Sequence, residues 1–340
     1  MKLLARYTSI CATLLVVGSA MAWVSPPFAL PPLVAHASEG GNGPADAALG
    51  KTLYGRHCSQ CHGDQGEGTG IAAAFLYPKP RNLQEGKFKL VSTLNRIPTD
   101  ADLMQVISRG MPGSSMISFG HLPEKSRAAL VAYVRLLTRE GIAARLKKSY
   151  DEAGEEIDAQ QLAKEVDRQT APGQVLAWPQ DAPAEDQAAV RRGKQLYLAT
   201  CATCHGETGR GEGGKDQRDD DGTPTKPRDF TMGIFKGGRD PLPLLHRIQI
   251  GMPGTPMPAS ADLKVGELVD MAYFIRSLAP AEAQAKVEHK RQLLRAKRVP
   301  AVAGADLRQV PTVTVVTSPL LCRDWVSPDL QVQSVYDGKE

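Results

Sequence analysis

Two short segments, each with a pair of cysteines followed at once by a histidine, constrain this chain of 340 residues more than any other feature. The first is CSQCH at residues 58–62, and the second is CATCH at residues 201–205. Each is followed by a stretch so rich in glycine that a helix is not expected to continue through it. An interpretation of the chain therefore has to explain two copies of one arrangement.

The spacing CxxCH is the attachment sequence of c-type haem. Two thiols add to the two vinyl groups of one haem, and the histidine that follows places an imidazole nitrogen on the iron. We therefore predict two covalently bound haem c groups. A structural zinc site, a redox-active dithiol and structural disulfides are the competing interpretations, and none of them explains a histidine after both pairs. The predicted residues are Cys58, Cys61 and His62 for the first group and Cys201, Cys204 and His205 for the second.

The rest of the chain repeats around these segments, so one module is used twice. In each module the pattern predicts a helix leading into CxxCH, a glycine-rich loop, a short helix, a methionine-containing loop and a final amphipathic helix. We expect that last helix to pack against the helix that carries Leu53 and Tyr54. The aligned segments are 50–63 with 193–206, 78–83 with 225–230, 109–116 with 250–257, and 132–137 with 272–278.

Each module resembles a class I cytochrome c domain, over residues 45–139 and 188–280. The resemblance implies an all-α fold of two tandem domains, each a small set of helices around one covalent haem. It also implies a histidine on one side of each iron and a methionine on the other. The glycine-rich loops fit this expectation, because the chain has to leave the helix sharply after the histidine and pass close to the haem.

The methionine ligand follows from the same resemblance. In that family it is the methionine of a GTPMP-like segment, which matches Met257 directly. The assignment carries over to Met116 only through the repeat, because GSSMI lacks the proline after the methionine. The alternatives are Met111 and Met252, which we expect to pack nearby, and two histidines that have no counterpart in the other repeat. Those histidines are His121 and His246.

Two arginines and a run of three aspartates each allow two interpretations. Arg81 and Arg228 occupy equivalent places after Lys-Pro and could pair with haem propionates, since a guanidinium matches a carboxylate with two hydrogen bonds; the alternative is solvated surface. The run of Asp219, Asp220 and Asp221 lies in an insertion that the first module lacks. It reads as a polar loop, with a calcium site as the alternative.

An iron with both axial positions filled suits electron transfer better than bond-making chemistry. We therefore predict a periplasmic diheme c-type cytochrome, a carrier or an electron-transfer subunit of a respiratory complex, and not an enzyme by itself. The expected partners are redox proteins such as a dehydrogenase, a reductase or an oxidase. The rival interpretation is a diheme peroxidase-like enzyme with one open iron position.

The N-terminal residues 1–37 read as an export signal. An apolar run from Ile10 to Val24 follows two basic residues, and Ala35-His36-Ala37 fits a cleavage site. An uncleaved anchor and a peripheral membrane contact stay open as alternatives. Without this segment, Lys and Arg fall from 41 to 39 against 37 acidic residues, so the net charge is only +2 and a nucleic-acid partner is not expected.

Two further segments lie outside the modules. Residues 140–187 read as a charge-rich linker with a helix, and residues 281–340 as a basic helix followed by a short β-rich tail. The tail from residue 299 resembles the opening of the haem-binding β-sandwich of the ethylbenzene dehydrogenase gamma-subunit family. That resemblance implies a truncated third domain with Cys322 buried in it; the alternative is a disordered or surface-packed tail.

Overall fold

The computed structural model describes residues 44–214 and 216–296 of the chain. The predicted export signal and the predicted β-rich tail with Cys322 lie outside these residues. Within them, the regular secondary structure is helical apart from one two-stranded hairpin and an isolated β-bridge, which confirms the predicted all-α class.

The elements follow the repeat. The helices of the first half are α1 (Pro44–His57), α2 (Ser59–His62), α3 (Asp100–Arg109), α4 (Glu124–Ala153) and α5 (Ala159–Thr170). Those of the second half are α6 (Gln187–Thr200), α7 (Ala202–His205), α8 (Pro241–Ile250), α9 (Val265–Ser277) and α10 (Ala281–Ala296). Short 3₁₀ turns occupy Ile71–Phe75, Leu83–Glu85 and Phe230–Met232, and the hairpin strands are β1 (Gln217–Arg218) and β2 (Pro224–Thr225).

Each half is built on one crossing of two helices, α1 with α4 and α6 with α9. The crossing is close because a glycine faces the partner backbone. A Cβ added to Gly50 would lie 2.1 Å from the carbonyl oxygen of Ala129, and one added to Gly193 would lie 2.0 Å from that of Asp270. The ring of Tyr54 meets that of Tyr133 at 5.2 Å, as expected for the predicted partner helices.

Local signals explain where the helices begin. The Thr99 hydroxyl accepts from the Asp102 backbone N–H at 3.1 Å, and the Asp102 carboxylate accepts from the Thr99 N–H at 2.9 Å. This capping box satisfies two N–H groups that the first turn of α3 leaves without a helical partner. Asp158 and Gln161 form the same box at the start of α5.

The segment between the halves is more ordered than a charge-rich linker suggests. Helix α4 continues through residue 139 to Ala153, so the boundary predicted at residues 139 and 140 lies inside a helix. Helix α5 then packs back onto α4 through an apolar cluster, and Arg139 forms an ion pair with Asp167 at 2.6 Å. Charged as well as apolar side chains therefore hold α5 against α4. The cluster consists of Ile142, Ala143 and Val166.

After α5 the chain runs extended along the first half and into the second. Val175 forms a β-bridge with Thr93, and the Leu176 N–H donates to the Ser92 carbonyl at 2.8 Å. The Leu176 carbonyl in turn accepts from His246 Nε2 of α8 at 2.7 Å. This segment therefore contacts both halves.

Within residues 44–214 and 216–296, every helix is too short or too polar to span a bilayer.

Candidate cofactor-binding sites

The two CxxCH segments fold identically at the junction of two helices. The first helix ends, and a single turn, α2 or α7, carries the second cysteine and the histidine. In the first site the His62 N–H donates to the Cys58 carbonyl at 2.9 Å, and in the second the His205 N–H donates to the Cys201 carbonyl at the same distance. One turn thus brings two thiols and an imidazole together in each half.

The chain leaves this turn through a glycine that a tyrosine holds in place. Gly63 has φ +78° and Gly206 has φ +75°, angles that residues with a Cβ resist. The Tyr54 hydroxyl donates to the Gly63 carbonyl at 2.8 Å, and the Tyr197 hydroxyl to the Gly206 carbonyl at 2.7 Å. Both tyrosines are fully buried, so each joins the core helix crossing to the loop after the histidine.

Replacing Tyr54 by phenylalanine is expected to lower the free energy of unfolding by about 1–2 kcal/mol, because the Gly63 carbonyl loses its donor in a buried place. Denaturant unfolding monitored by circular dichroism measures the loss. Tyr150→Phe is the matched control, since no hydrogen bond of its hydroxyl is found in the described residues; its effect is expected to stay within about 0.5 kcal/mol. Equal effects of the two changes would contradict the role of Tyr54.

The four cysteines of the two segments are free thiols, and three of them lie in surroundings that do not suit redox exchange. Burial raises the pKa of Cys58 to about 11 and also raises the pKa of Cys61 and Cys201. Reactive dithiols have lowered pKa values, because the thiolate is the nucleophile. The raised pKa values of these three thiols do not fit a redox-active dithiol.

Both histidines are held as neutral imidazoles suited to binding a metal. Burial lowers the pKa of His62 and of His205, and the nearby backbone of Arg81 or Arg228 opposes that shift in part. His62 Nδ1 donates to the Arg81 carbonyl at 2.9 Å, which leaves Nε2 free for a metal. His205 Nδ1 is buried without a partner, and its ring stacks on Phe230 at 4.6 Å between centroids.

The methionine loops of the two halves have the same conformation. The Met111 N–H donates to the Met116 carbonyl at 3.0 Å, and the Met252 N–H to the Met257 carbonyl at 3.2 Å. The Ser114 hydroxyl donates to the Met111 carbonyl at 2.7 Å. The Thr255 hydroxyl donates to the Met252 carbonyl at the same distance. The missing proline after Met116 therefore does not alter the loop.

In the second half the cysteines, the histidine and the methionines line one cavity of about 220 Å³. Arg228 and Lys236 are among the cations on the cavity wall. Burial and neighbouring cations lower the pKa of Lys236 to about 7. A haem fits this donor set, because its vinyl groups suit the thiols, its iron suits imidazole and thioether, and its carboxylates suit the buried cations. The haem-binding candidates on the wall are Cys201, Cys204, His205, Met252 and Met257.

The two arginines predicted to pair with propionates cross between the halves. Both terminal nitrogens of Arg81 donate to the Gly254 carbonyl at 3.3 Å, and Arg228 donates to the Gly113 carbonyl at 3.2 Å. The alternative of a solvated surface is wrong for Arg81, whose side chain is only 14% exposed. Both Nε atoms are buried without a partner in the described residues, so each guanidinium has a donor left for a carboxylate.

The rival ligands have other roles or lie elsewhere. His246 Nε2 donates a hydrogen bond to the Leu176 carbonyl. The ring centroid of His121 lies 6.2 Å from that of Phe119. The three aspartates of the insertion do not converge: Asp220 pairs with Lys87 at 2.5 Å, and Asp221 caps the Thr223 N–H at 2.9 Å. Among the described residues, no three side chains of the usual metal-binding types are grouped closely enough to hold an ion.

Sequence reasoning missed two features of these sites. The tyrosines of the loops recur at the same place in both repeats, within GKTLY and GKQLY, so the repeat held that signal. The ion pair between Lys89 and Asp219, at 2.6 Å, joins residues of different halves, and no local pattern predicts it.

Comparison with known proteins gives a family match over both halves. The sequence model of the cytochrome c family matches residues 47–138 and again residues 190–279, which together cover more than half of the chain. The two matched segments contain both CxxCH sequences and both methionine loops.

Two similar proteins extend this finding. The Cbb3-type cytochrome c oxidase subunit FixP of Azorhizobium caulinodans is 26% identical over 220 residues, which are 62% of this chain and 52% of that protein. The chain thus spans about half the length of that curated relative. A chain of the Kuenenia stuttgartiensis reducing HAO-like protein complex Kustc0457/Kustc0458 is 33% identical, with a TM-score of 0.54 over 68% of this chain and 96% of that one.

Proposed function

The chain belongs to the cytochrome c family, and from this premise we propose that it transfers electrons through two haems, each ligated by one histidine and one methionine. It is an electron-transfer c-type cytochrome, and its two domains carry two covalently bound haem c groups. When bound, each haem supplies an iron that takes up and releases one electron. The protein's part is to hold, orient and tune that iron.

The residues divide into two equivalent sets. In each domain the two thiols of CxxCH would anchor the ring, and the histidine would bind the iron. In the first domain His62 Nδ1 donates to the Arg81 carbonyl, which leaves Nε2 for the metal. A methionine of the following loop would supply the second protein ligand to the iron. We assign Met116 to the first domain and Met257 to the second. Arg81 and Arg228 each keep a buried Nε that can donate to a haem carboxylate.

The observation that carries this proposal is the equality of the two methionine loops. Their backbone hydrogen bonds agree within 0.2 Å, and a hydroxyl closes each loop at the same place. A peroxidase needs one iron with an open or displaceable position, so its two haems differ in ligation. Equal loops support two haems with both axial positions filled, which suit electron transfer.

The location and partners follow from similar reasoning. Residues 1–37 have the pattern of an export signal, and covalent attachment keeps a haem in place outside the cytoplasm, so we assign the protein to the periplasm. The names of the two similar proteins refer to an oxidase subunit and to a redox complex. We infer that the partners of this chain are larger redox proteins, to which it delivers electrons or from which it receives them.

The experiment is a redox titration of the native protein followed by a hydrogen peroxide assay. We expect two one-electron steps per chain and no peroxide turnover above that of free haem. Turnover at enzymatic rates, abolished in a His62→Ala or His205→Ala variant, would instead favour the peroxidase.

A further inference from the structure

The interface between the two domains is nearly symmetric. Arg81 of the first domain reaches the loop of Met257, and Arg228 of the second reaches the loop of Met116. Glycine leaves room for both guanidinium groups, since a Cβ on Gly254 would lie 2.4 Å from Arg81 and one on Gly113 would lie 2.2 Å from Arg228. The two cofactor sites therefore share one boundary.

The charges at this boundary are not symmetric. Lys89 and Lys236 are equivalent in the repeat, each three residues after the glycine of a 3₁₀ turn. Lys89 Nζ lies 2.6 Å from a carboxylate oxygen of Asp219, with only 7% and 6% of the two side chains exposed. No carboxylate lies within ion-pair distance of Lys236 among the described residues.

The asymmetry comes from the insertion in the second domain. Asp219 begins the turn between β1 and β2, a hairpin for which the first domain has no counterpart. The hairpin delivers this carboxylate across the interface, where it also lies 3.6 Å from Arg81. The direct ionic contacts of Asp219 are thus with cations of the first domain. Asp219 makes no direct ion pair with Arg228 or Lys236 of the second domain.

These cations adjoin the cofactor sites. Arg81 holds the His62 ring through its carbonyl, and Arg228 and Lys236 line the cavity that contains His205. A negative charge near a haem stabilises its oxidised form, which carries more positive charge, and a positive charge stabilises the reduced form. An added carboxylate on the first-domain side therefore contributes to a difference between the potentials of the two haems.

Building on the proposed function, we propose that Asp219 lowers the potential of the first-domain haem relative to that of the second, and so directs electrons from the first domain to the second. The step moves one electron from the reduced first-domain iron to the oxidised second-domain iron, with no bond made or broken. A donor redox protein replaces that electron at the first domain, and an acceptor removes it from the second.

The test is to measure both haem potentials in Asp219→Asn and in Lys89→Met. We expect Asp219→Asn to raise the first-domain potential and Lys89→Met to lower it, each changing the equilibrium sharing of one electron between the haems by about tenfold, or about 59 mV. A purely structural pair would not give this result, because breaking it from either side would shift the potential in the same direction. The Met116→His variant assigns the potentials by changing the ligand of one haem.

Two controls separate charge from disruption. In Asp219→Asn/Lys89→Met both charges are absent, and the first-domain potential is expected to return near that of the native protein. Asp220→Asn removes a carboxylate from the neighbouring pair with Lys87, whose side chains are 46% and 48% exposed, and solvent screening should leave both potentials nearly unchanged.

Shifts of the same sign in the two single variants, or a native first-domain haem of higher potential than the second, would overturn the proposal. Failure of the proposed function looks different. In that case the native protein lacks two one-electron steps, or Met116→His leaves the ligand spectrum unchanged.

Discussion

Replacing Met257 by alanine is expected to leave the second-domain haem with only its histidine ligand. The change removes a thioether and puts nothing in its place, so that haem, one of the two in the chain, becomes high spin and binds carbon monoxide. Its potential should also fall, because a methionine ligand raises the potential of a haem iron. Optical spectra of the reduced protein with and without carbon monoxide, together with a redox titration, measure these effects.

The matched control for Met257→Ala is Met252→Ala. Met252 lines the same cavity and lies in the same loop, so its loss removes similar packing without removing the assigned ligand. We expect Met252→Ala to leave both haems low spin, with a loss of stability of about 2–4 kcal/mol at most. If Met252→Ala gives the carbon monoxide complex and Met257→Ala does not, the ligand assignment is wrong.

Replacing Gly50 by alanine is expected to destabilise the first domain by about 3 kcal/mol or more. The added Cβ would meet the carbonyl oxygen of Ala129 at 2.1 Å and the Cβ of Tyr133 at 2.8 Å. Backbone atoms cannot move aside as the end of a side chain can, so α1 and α4 have to separate and the core between them loses contacts. Thermal unfolding followed in the far-ultraviolet measures the effect.

Gly55→Ala is the control in the same helix. Gly55 is exposed in α1, and a Cβ there meets nothing within 4 Å. Alanine stabilises a helix by up to about 1 kcal/mol relative to glycine, so we expect this variant to be equal to or more stable than the native protein. Equal destabilisation by the two changes would show that the close α1–α4 contact is not the cause.

The sequence predicted the attachment sites because their chemistry is local. Cys58, Cys61 and His62 lie within one turn, and the repeat places the same three residue types at 201, 204 and 205. The cysteine spacing together with the following histidine indicates haem attachment without reference to distant parts of the chain. The pairing of α1 with α4 was likewise predictable, since the apolar face of the last helix of a module needs a partner.

The contacts between the domains were not predictable in this way. Arg81 reads locally as a surface cation or a propionate ligand, yet it binds the Gly254 carbonyl more than a hundred residues away. Asp219 reads as part of a polar loop, yet it is buried against Lys89. Such contacts depend on how two folded units dock, and the periodicity within one unit carries no information about that.

The extent of α4 was missed for a related reason. Beyond residue 139 its sequence is mainly charged, which is typical of a linker. The helix continues because Ile142 and Ala143 keep an apolar face that α5 covers with Val166. It ends at Gly154, which adopts a left-handed conformation. The covering helix is a tertiary partner that the charge pattern of α4 does not reveal.

Magnetic circular dichroism of the fully oxidised native protein tests the central claim most directly. It detects the sulfur-to-iron charge-transfer transition of a methionine-ligated haem, and its intensity per haem counts how many irons have that ligand. Two equivalent sites, with Met116 on one iron and Met257 on the other, predict an intensity that corresponds to two methionine-ligated haems per chain. An intensity for one haem, with the other high spin or ligated by two histidines, would contradict the account.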